Sequence, residues 1–223
     1  MKDLICKLEK NEALEKAEWV RLIAGQTPEL SAFLFKKARC QAQKYYGNRI
    51  YTRGLIEFSN YCKNDCYYCG IRRSNRTCER YRLTREQILA CAEEGWQAGF
   101  RTFVLQGGED PAATDEWLAG VVGNLKAAHP GCAVTLSVGE RSQESYERLR
   151  AAGADRYLLR HETATAAHYR QLHPAAMTLQ RRMACLSALR EAGFAVGAGF
   201  MVGSPFQTTE RLAADLAFIQ EFR

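Results

Sequence analysis

From residue 51 onward, short apolar runs alternate with amphipathic helical segments five times in succession. The runs span residues 54–58, 100–105, 133–138, 156–159 and 194–199. Alternation at this spacing is typical of parallel strands joined by right-handed helical crossovers. The pattern therefore limits the fold to the α/β class, as a (β/α) barrel or an open doubly wound sheet.

Two features of the sequence favour the barrel over the doubly wound sheet. No GxGxxG pattern opens the first helix, so the main signature of a nucleotide-binding Rossmann fold is missing. The polar residues of chemical interest follow the strands, and (β/α) barrels carry their active sites at that end. A complete eight-unit barrel needs about 250 residues, whereas the five units here occupy about 170. We expect a partial TIM-type barrel with one exposed edge.

Residues 1–50 have a helical pattern instead of an alternating one. Apolar residues recur near the 3.6-residue period on both sides of a break at residues 25–28. We therefore expect two domains, an N-terminal helical extension at 1–50 and the partial barrel at 51–223. Within the barrel, Thr84 and Gln87 predict a capping box, and a longer helical stretch is expected to end at Gly193.

Three cysteines, Cys62, Cys66 and Cys69, lie in one loop directly after the first predicted strand. Thiolates are soft ligands that suit iron–sulfur clusters and zinc, and both commonly use four protein ligands. Only three are present locally, since the next cysteine, Cys78, is nine residues away. A four-iron cluster on these thiols has one iron without a protein ligand. A zinc site remains an alternative, and disulfides are less favoured because nine cysteines is an odd number and no signal peptide opens the chain.

Composition and charge narrow the range of partners. No apolar run approaches the ~18 residues of a membrane span, so we expect a cytoplasmic protein without membrane contact. The net charge of +6 reflects an arginine concentration after the cysteine loop. It comprises Arg72, Arg73, Arg76, Arg80, Arg82 and Arg85. Without an RNA-binding signature, a solvated face or a rim for small anions is favoured over nucleic-acid binding.

The second and third predicted strands end in residues suited to ligand binding. Gly107 and Gly108 allow close backbone approach, and Glu109 offers a carboxylate to an ammonium group, although an ordinary tight turn explains the glycines equally well. Thr135 and Ser137 alternate along the third strand, so both hydroxyls are expected on one face. Simple packing is the alternative for this pair.

The fourth and fifth strands end in a second group of candidate residues. Arg160 and Glu162 follow an apolar strand, where charges are costly unless paired, so an anion clamp or a structural ion pair is expected. Arg181 in the following helix could pair with a carboxylate. Small residues between 197 and 203, around Met201, make room for a flat group or pack against the neighbouring strand.

Together these segments resemble the HydE family of [FeFe]-hydrogenase maturases, in the biotin-synthase-like group of radical S-adenosylmethionine (SAM) proteins. The matching passages are residues 56–60, 62–73, 80–84, 105–111, 135–140, 152–164 and 197–208. The resemblance implies that Cys62, Cys66 and Cys69 hold a [4Fe-4S] cluster. It further implies a SAM site with Glu162 at the ribose and Arg181 at the carboxylate, completed by Gly107, Gly108, Glu109, Ser137 and Met201. Thr135 and Arg160 match an anion-binding spot.

The resemblance also implies an activity and a set of partners. The reduced cluster passes one electron to SAM, which splits into methionine and a 5′-deoxyadenosyl radical acting on a small-molecule or organometallic substrate. The partners implied are an electron donor such as ferredoxin or flavodoxin and other hydrogenase maturases. Three alternatives stay open at this point: methylornithine synthase, a biotin-synthase-like enzyme, and an inactive cluster-binding fragment.

Overall fold

The computed structural model describes residues 1–222 and groups them into two compact units. The first unit combines Met1–Tyr51, Glu162–Tyr169 and the chain from Phe200 onward; the second combines Thr52–His161 and Arg170–Gly199. The first unit therefore holds more than the N-terminal helices alone. A domain boundary near residue 50 stays a prediction.

The five predicted strands form one parallel sheet in the second unit. They are β1 (Gly54–Ser59), β2 (Thr102–Gly107), β3 (Ala133–Ser137), β4 (Arg156–Leu158) and β5 (Ala195–Gly197). The strands pair in sequence order, β1-β2-β3-β4-β5. A doubly wound sheet reverses its strand order at a switch point, whereas this one does not. The sheet is also not closed, because β1 and β5 do not pair with each other. The predicted partial barrel is confirmed.

Nine helices are described between residues 1 and 222. They are α1 (Lys2–Glu9), α2 (Lys16–Ala24), α3 (Pro28–Tyr46), α4 (Arg85–Gln97), α5 (Asp115–Ala128), α6 (Gln143–Ala151), α7 (Ala166–Leu172), α8 (Leu179–Glu191) and α9 (Thr209–Glu221). None of them combines the length and apolar character that a membrane crossing requires.

Local sequence signals account for where several of these helices begin and end. The predicted capping box is present at α4, where Thr84 accepts from Gln87 N and the Gln87 side chain accepts from Thr84 N. The longer helical stretch expected before Gly193 consists of two helices, α7 and α8, with a break between them. Pro174 explains the break because proline lacks an N–H and clashes with the preceding turn. Thr178 then caps α8.

One face of the sheet carries the main core. Helices α4, α5, α6 and α8 bring apolar side chains against the strands, which alternate inward and outward. The fully buried large members are Phe58, Phe103, Leu105, Leu118, Leu125, Leu136, Tyr146 and Tyr157. On the opposite face, Leu55 is 55% exposed and Glu57 is also exposed. Strand β1 is therefore buried on one face only, as an edge strand of an open sheet.

The first unit has a separate core. Leu4, Ile5, Leu14, Leu22 and Leu30 form it, with Trp19 and Phe33 among the half-buried residues around it. Helix α2 packs against α9. The Gln220 side chain accepts from Leu14 N at 2.9 Å and donates to Leu14 O at 3.1 Å. Segments about 200 residues apart in the chain thus meet within this unit.

We predict that Leu136→Ala lowers the free energy of unfolding by about 2–5 kcal/mol, because it removes a fully buried side chain and leaves a cavity. Leu55→Ala is the matched control on the same sheet. Since Leu55 is mostly exposed, its loss is expected to cost less than about 1 kcal/mol. Urea unfolding followed by circular dichroism measures both values. Equal losses of unfolding free energy in the two variants would contradict the finding that Leu136 is buried and Leu55 is mostly exposed.

Candidate functional site

Cys62, Cys66 and Cys69 line a single cavity of about 510 Å³ just beyond the C-terminal end of β1. All three are half-buried and none forms a disulfide. Asn60, Gly107, Gly108, Ser137, Arg160 and Arg182 are among the other lining residues. The cavity thus joins the cysteine loop to the ends of β2, β3 and β4, as expected for the active end of a barrel.

Burial raises the pKa of the Cys62 thiol. Burial, with the neighbouring thiols of Cys62 and Cys69 adding to it, raises the pKa of Cys66 to about 12. The Cys66 thiol is therefore protonated at neutral pH when no cation is near. Cysteines bind metals as thiolates, so binding of an iron cluster here must release protons.

The arrangement of these thiols bears on which group they could hold. Within residues 1–222, no set of three or more Cys, His, Asp or Glu side chains surrounds a site for one metal ion. A tetrahedral zinc ion needs its ligands around one point, whereas an iron–sulfur cluster presents several metal atoms to its thiolates. Three cysteine thiols that line one cavity are soft ligands of the kind that an iron–sulfur cluster takes.

The buried carboxylate of Asp110 ties the cysteine loop to the sheet. Arg82 donates to both of its oxygens, with Nε–Oδ2 at 2.6 Å and a second contact at 2.9 Å. Ser59 Oγ donates at 2.6 Å, and Ala112 N donates at 3.0 Å. Ser59 Oγ in turn accepts from Tyr61 N, the residue before Cys62. One carboxylate therefore connects the end of β1, the segment after the cysteines and the loop after β2.

Burial alone would raise the pKa of Asp110, but hydrogen bonds from Arg82 and Ser59 outweigh it and hold the pKa below its usual range. The Arg82 guanidinium also lies 3.6 Å from the centroid of the Tyr61 ring. This cation–π contact stabilises the same junction. The carboxylate is thus charged at neutral pH and fully hydrogen-bonded.

Arg80 fixes the second half of the loop. Its guanidinium donates to the carbonyls of Asn60, Ile71, Arg72 and Asn75. These carbonyls lie on both sides of the cysteines in sequence. A planar group with five donors suits this task because it can join several carbonyls at once. Arg80 therefore fixes the conformation of the loop.

The segment after α7 holds the loop from another side. Tyr68 Oη lies 3.1 Å from His173 Nε2, and the two rings meet edge to face. Tyr67 N donates to Leu172 O at 3.0 Å. The Met177 sulfur lies 3.7 Å from Cys66 Sγ. The residues between the second and third cysteines are therefore fixed against a defined partner.

Gly108 is required by the cysteine loop itself. A Cβ at this position would lie 2.2 Å from Tyr61 O and 2.7 Å from the Cβ of Cys62. Gly107 and Gly108 both line the cavity. The close backbone approach predicted here exists, and the group approached is the protein's own loop. This explains the glycine at 108 without a ligand.

Glu109 is held with its carboxylate in the cavity wall. Its side chain is 8% exposed, pairs with Lys63 Nζ at 3.2 Å and accepts from Glu140 N at 3.0 Å. Gly139, at φ +79°, leaves the space that the Glu109 side chain fills. The carboxylate is therefore pre-positioned, as an ammonium-binding group must be.

Three predicted residues lie on the sheet below the cysteines. Ser137 and Arg160 line the cavity. Thr135, two residues before Ser137 on the same face, is 8% exposed, and its Oγ1 has no hydrogen-bond partner within residues 1–222. A buried hydroxyl without a partner costs free energy. Thr135 therefore offers an unused donor and acceptor beneath the site.

Arg182 is a site residue that sequence reasoning missed. The predicted Arg181 is 62% exposed, lies 3.5 Å from Glu140 and lines a smaller cavity of about 190 Å³ with Glu109. Arg182 is 7% exposed, lines the cysteine cavity, donates to Glu140 Oε1 at 2.6 Å and donates to Arg160 O. The 3.6-residue periodicity of α8 is a signal that could have identified Arg182, because this residue shares the buried face of the helix with Cys185, Leu186 and Leu189.

Glu140 contacts both arginines of α8 through its carboxylate. In the structure His161 is fully buried, and burial together with the nearby Arg182 charge lowers its pKa to about 4. His161 is therefore neutral at physiological pH.

Glu162 and Met201 belong to the first unit, where one backbone bridge joins their segments. Met201 N donates to Glu162 O at 3.1 Å. Glu162 is buried and adopts φ +66°, a conformation that costs a non-glycine residue about 1–3 kcal/mol. Their contact with SAM stays a prediction.

We predict that Asp110→Asn lowers the free energy of unfolding at pH 7 by about 1–3 kcal/mol, because the buried donors around it lose a charged acceptor. The pH profile must change as well. The pKa of Asp110 is lower in the folded protein than the unfolded value of about 3.9. The stability that the ionised carboxylate provides is therefore complete above about pH 5 and is lost as the pH falls through the folded pKa.

Urea unfolding between pH 2.5 and 7 measures both effects, and the loss of stability in acid is expected to be smaller in the variant. Glu79→Gln, at an exposed carboxylate of the same segment, is the control that should leave both quantities unchanged. If Asp110→Asn loses as much stability in acid as the unmodified protein does, the assignment of a lowered pKa to Asp110 is contradicted.

The chain is similar in sequence to a known superfamily and to individual relatives. The sequence model of the radical SAM superfamily matches residues 56–219. The [FeFe] hydrogenase maturase subunit HydE of Thermotoga maritima is 43% identical over 215 residues, covering 94% of this chain and 61% of HydE. The 3-methylornithine synthase of Methanosarcina acetivorans is 29% identical over 187 residues, covering 82% of this chain and 52% of that enzyme.

Two solved structures are similar across nearly the whole chain. Methylornithine synthase superposes with a TM-score of 0.89 at 26% identity, over 98% of this chain and 64% of that one. HydG, a maturase of the [FeFe]-hydrogenase, superposes with a TM-score of 0.84 at 26% identity, over 96% of this chain and 49% of that one. The chain thus spans less than two thirds of the length of these relatives.

Proposed function

The chain belongs to the radical SAM superfamily, and from that premise we propose that it acts as a radical SAM enzyme of the HydE type, in assembly of the [FeFe]-hydrogenase active-site cluster. Members of the superfamily use a [4Fe-4S] cluster and SAM. The higher identity to HydE than to methylornithine synthase supports the HydE type over the amino-acid enzyme.

The observation that carries the proposal is the set of three cysteines on one cavity. Within residues 1–222, Cys62, Cys66 and Cys69 are the thiols that line it, and Cys78 does not. Three thiolates on a four-iron cluster leave one iron for SAM, and the bound cluster would supply the electron that splits SAM into methionine and a 5′-deoxyadenosyl radical. The residues present fit this group.

The protein's own side chains would then bind and orient the ligand. We assign the SAM ammonium group to the Glu109 carboxylate, which the Glu140 N–H and Lys63 hold in place. Ser137 offers a hydroxyl from the cavity wall, and Arg181 offers a cation for the carboxylate of SAM. Glu162 is assigned to the ribose and Met201 to the adenine.

The substrate would bind in the part of the cavity next to the sheet. Arg160 supplies a cation and Thr135 a buried hydroxyl, a pair that suits an anionic or strongly polar small molecule. We further propose that the protein works in the cytoplasm with an electron donor such as ferredoxin or flavodoxin, and together with other hydrogenase maturases.

Anaerobic reconstitution with iron and sulfide tests the cluster assignment. We expect about four irons per chain, a spectrum typical of a [4Fe-4S] cluster, and an electron paramagnetic resonance signal that changes when SAM is added. Single Cys→Ser substitutions at positions 62, 66 and 69 should abolish cluster binding. Cys78→Ser is the matched control and should retain it, because Cys78 does not line the cavity.

Two outcomes of this experiment would contradict the proposal. One is a cluster signal that does not respond to SAM, and the other is full iron content in all three cysteine variants. Consumption of lysine during turnover would instead assign the chain to methylornithine formation.

We predict that Thr135→Val separates stability from activity. Removing a buried hydroxyl that has no partner should leave the free energy of unfolding unchanged or raise it by about 1 kcal/mol. Substrate-dependent turnover should fall at least about tenfold if the hydroxyl binds substrate, while SAM cleavage without substrate is unchanged. Thr135→Ser keeps the hydroxyl and is the control. Unchanged turnover in the valine variant would contradict the assignment.

A further inference from the structure

The outer side of the cysteine loop carries a concentration of positive charge. Residues 63–82 contain six basic and two acidic side chains, a net charge of +4 within a chain of net +6. We call four of the basic residues, Lys63, Arg72, Arg73 and Arg76, the basic rim. Lys63, Arg73 and Arg76 are exposed, and Arg72 is half-buried.

The basic rim lies directly against the backbone that carries the thiols. Arg72 donates to Cys69 O from both its backbone N, at 3.3 Å, and its guanidinium, at 3.0 Å. Arg73 N donates at 2.9 Å to Asn64 O, between the first two cysteines. Tyr67, next to Cys66, is 60% exposed among these charges. A protein that binds this surface therefore contacts residues hydrogen-bonded directly to the backbone of the cysteine loop.

The conformation of the rim is fixed before any partner binds. Arg80 joins the carbonyls of Ile71, Arg72 and Asn75, and Asn75 Nδ2 donates to Gly70 O at 2.7 Å. Asp65 Oδ1 accepts from Ser74 N at 3.0 Å. A pre-ordered surface loses little entropy on binding, which favours association.

The basic residues between 63 and 82 differ in what they do within the fold. Arg80 and Arg82 are engaged by carbonyls and by Asp110. For Arg73 and Arg76, no hydrogen bond or ion pair of the guanidinium group is present in the part of the chain that the structure describes, residues 1–222. These two exposed guanidinium groups are available to a partner.

We propose that the basic rim is the docking surface for a small acidic electron-donor protein. The inference rests on the proposed function, because reductive cleavage of SAM needs one electron per event from outside the chain. At this surface the donor loses one electron and the cluster gains one, and no atom or proton is exchanged. A positive surface against a negative partner accelerates encounter by about 10- to 1000-fold, and salt weakens the effect.

The test uses the reconstituted chain and reduced ferredoxin of net negative charge as the probe. Stopped-flow absorbance follows cluster reduction at about 20 mM and about 300 mM salt. The Arg73→Glu, Arg76→Glu double variant should lower the second-order rate constant at least about tenfold at low salt, and the difference should shrink at high salt. The Arg73→Lys, Arg76→Lys variant keeps the charge and should stay within about twofold of the unmodified protein.

A matched control changes the same number of charges elsewhere. Lys36→Glu with Arg39→Glu alters two exposed cations on α3, in the first unit, and should leave the rate within about twofold. The docking proposal is overturned if both glutamate pairs lower the rate equally, or if the rate of the unmodified protein does not depend on salt. It is also overturned if a single-stranded oligonucleotide binds the rim while ferredoxin rates are equal in all variants.

A second reductant separates this inference from the proposed function. Photoreduced deazaflavin is a small molecule and does not need a protein docking surface, so it should reduce the cluster at the same rate in all variants. A loss with deazaflavin that equals the loss with ferredoxin means that the substitutions damage the site, and it overturns the docking assignment. A chain that binds no cluster, or whose reduced cluster never cleaves SAM, overturns the proposed function and the docking with it.

Discussion

The site depends on the buried carboxylate of Asp110, whose role no sequence motif indicates. Asp110 accepts from Arg82, Ser59 and Ala112 N, and through Ser59 it reaches the residue before the first cysteine. A buried charge is tolerated only when it is hydrogen-bonded and paired. Satisfying this one carboxylate therefore forces the end of β1, the loop after β2 and the segment after the cysteines into one arrangement, which is where the cavity forms.

Much of the architecture follows from local pattern. Strand and helix alternation predicted the parallel strands, and Thr84 with Gln87 predicted the start of α4. These signals are strong because they depend on a few consecutive residues. The position of Pro174 inside a helical pattern was a local signal too. In the structure this position divides the predicted helical stretch into α7 and α8.

The candidate site was less accessible to sequence reasoning, because its contacts join residues far apart in the chain. The three cysteines, Ser137 and Arg160 were predicted and line one cavity. Arg182 was missed in favour of its neighbour Arg181, since a single position on a helix decides whether an arginine faces solvent or the sheet. The role of Asp110 could not be derived from spacing. Its partners lie 28 and 51 residues away, and only the folded loop brings them together.

The pairing of Leu14 with Gln220 has a consequence for biosynthesis. The strands of the sheet pair with their neighbours in sequence, so they can assemble progressively while the ribosome is still translating. Helix α2, by contrast, meets α9 only after residue 220 has left the exit tunnel. Until then the side of α2 that packs against α9 lacks its native partner, and during that interval it is a candidate for chaperone binding.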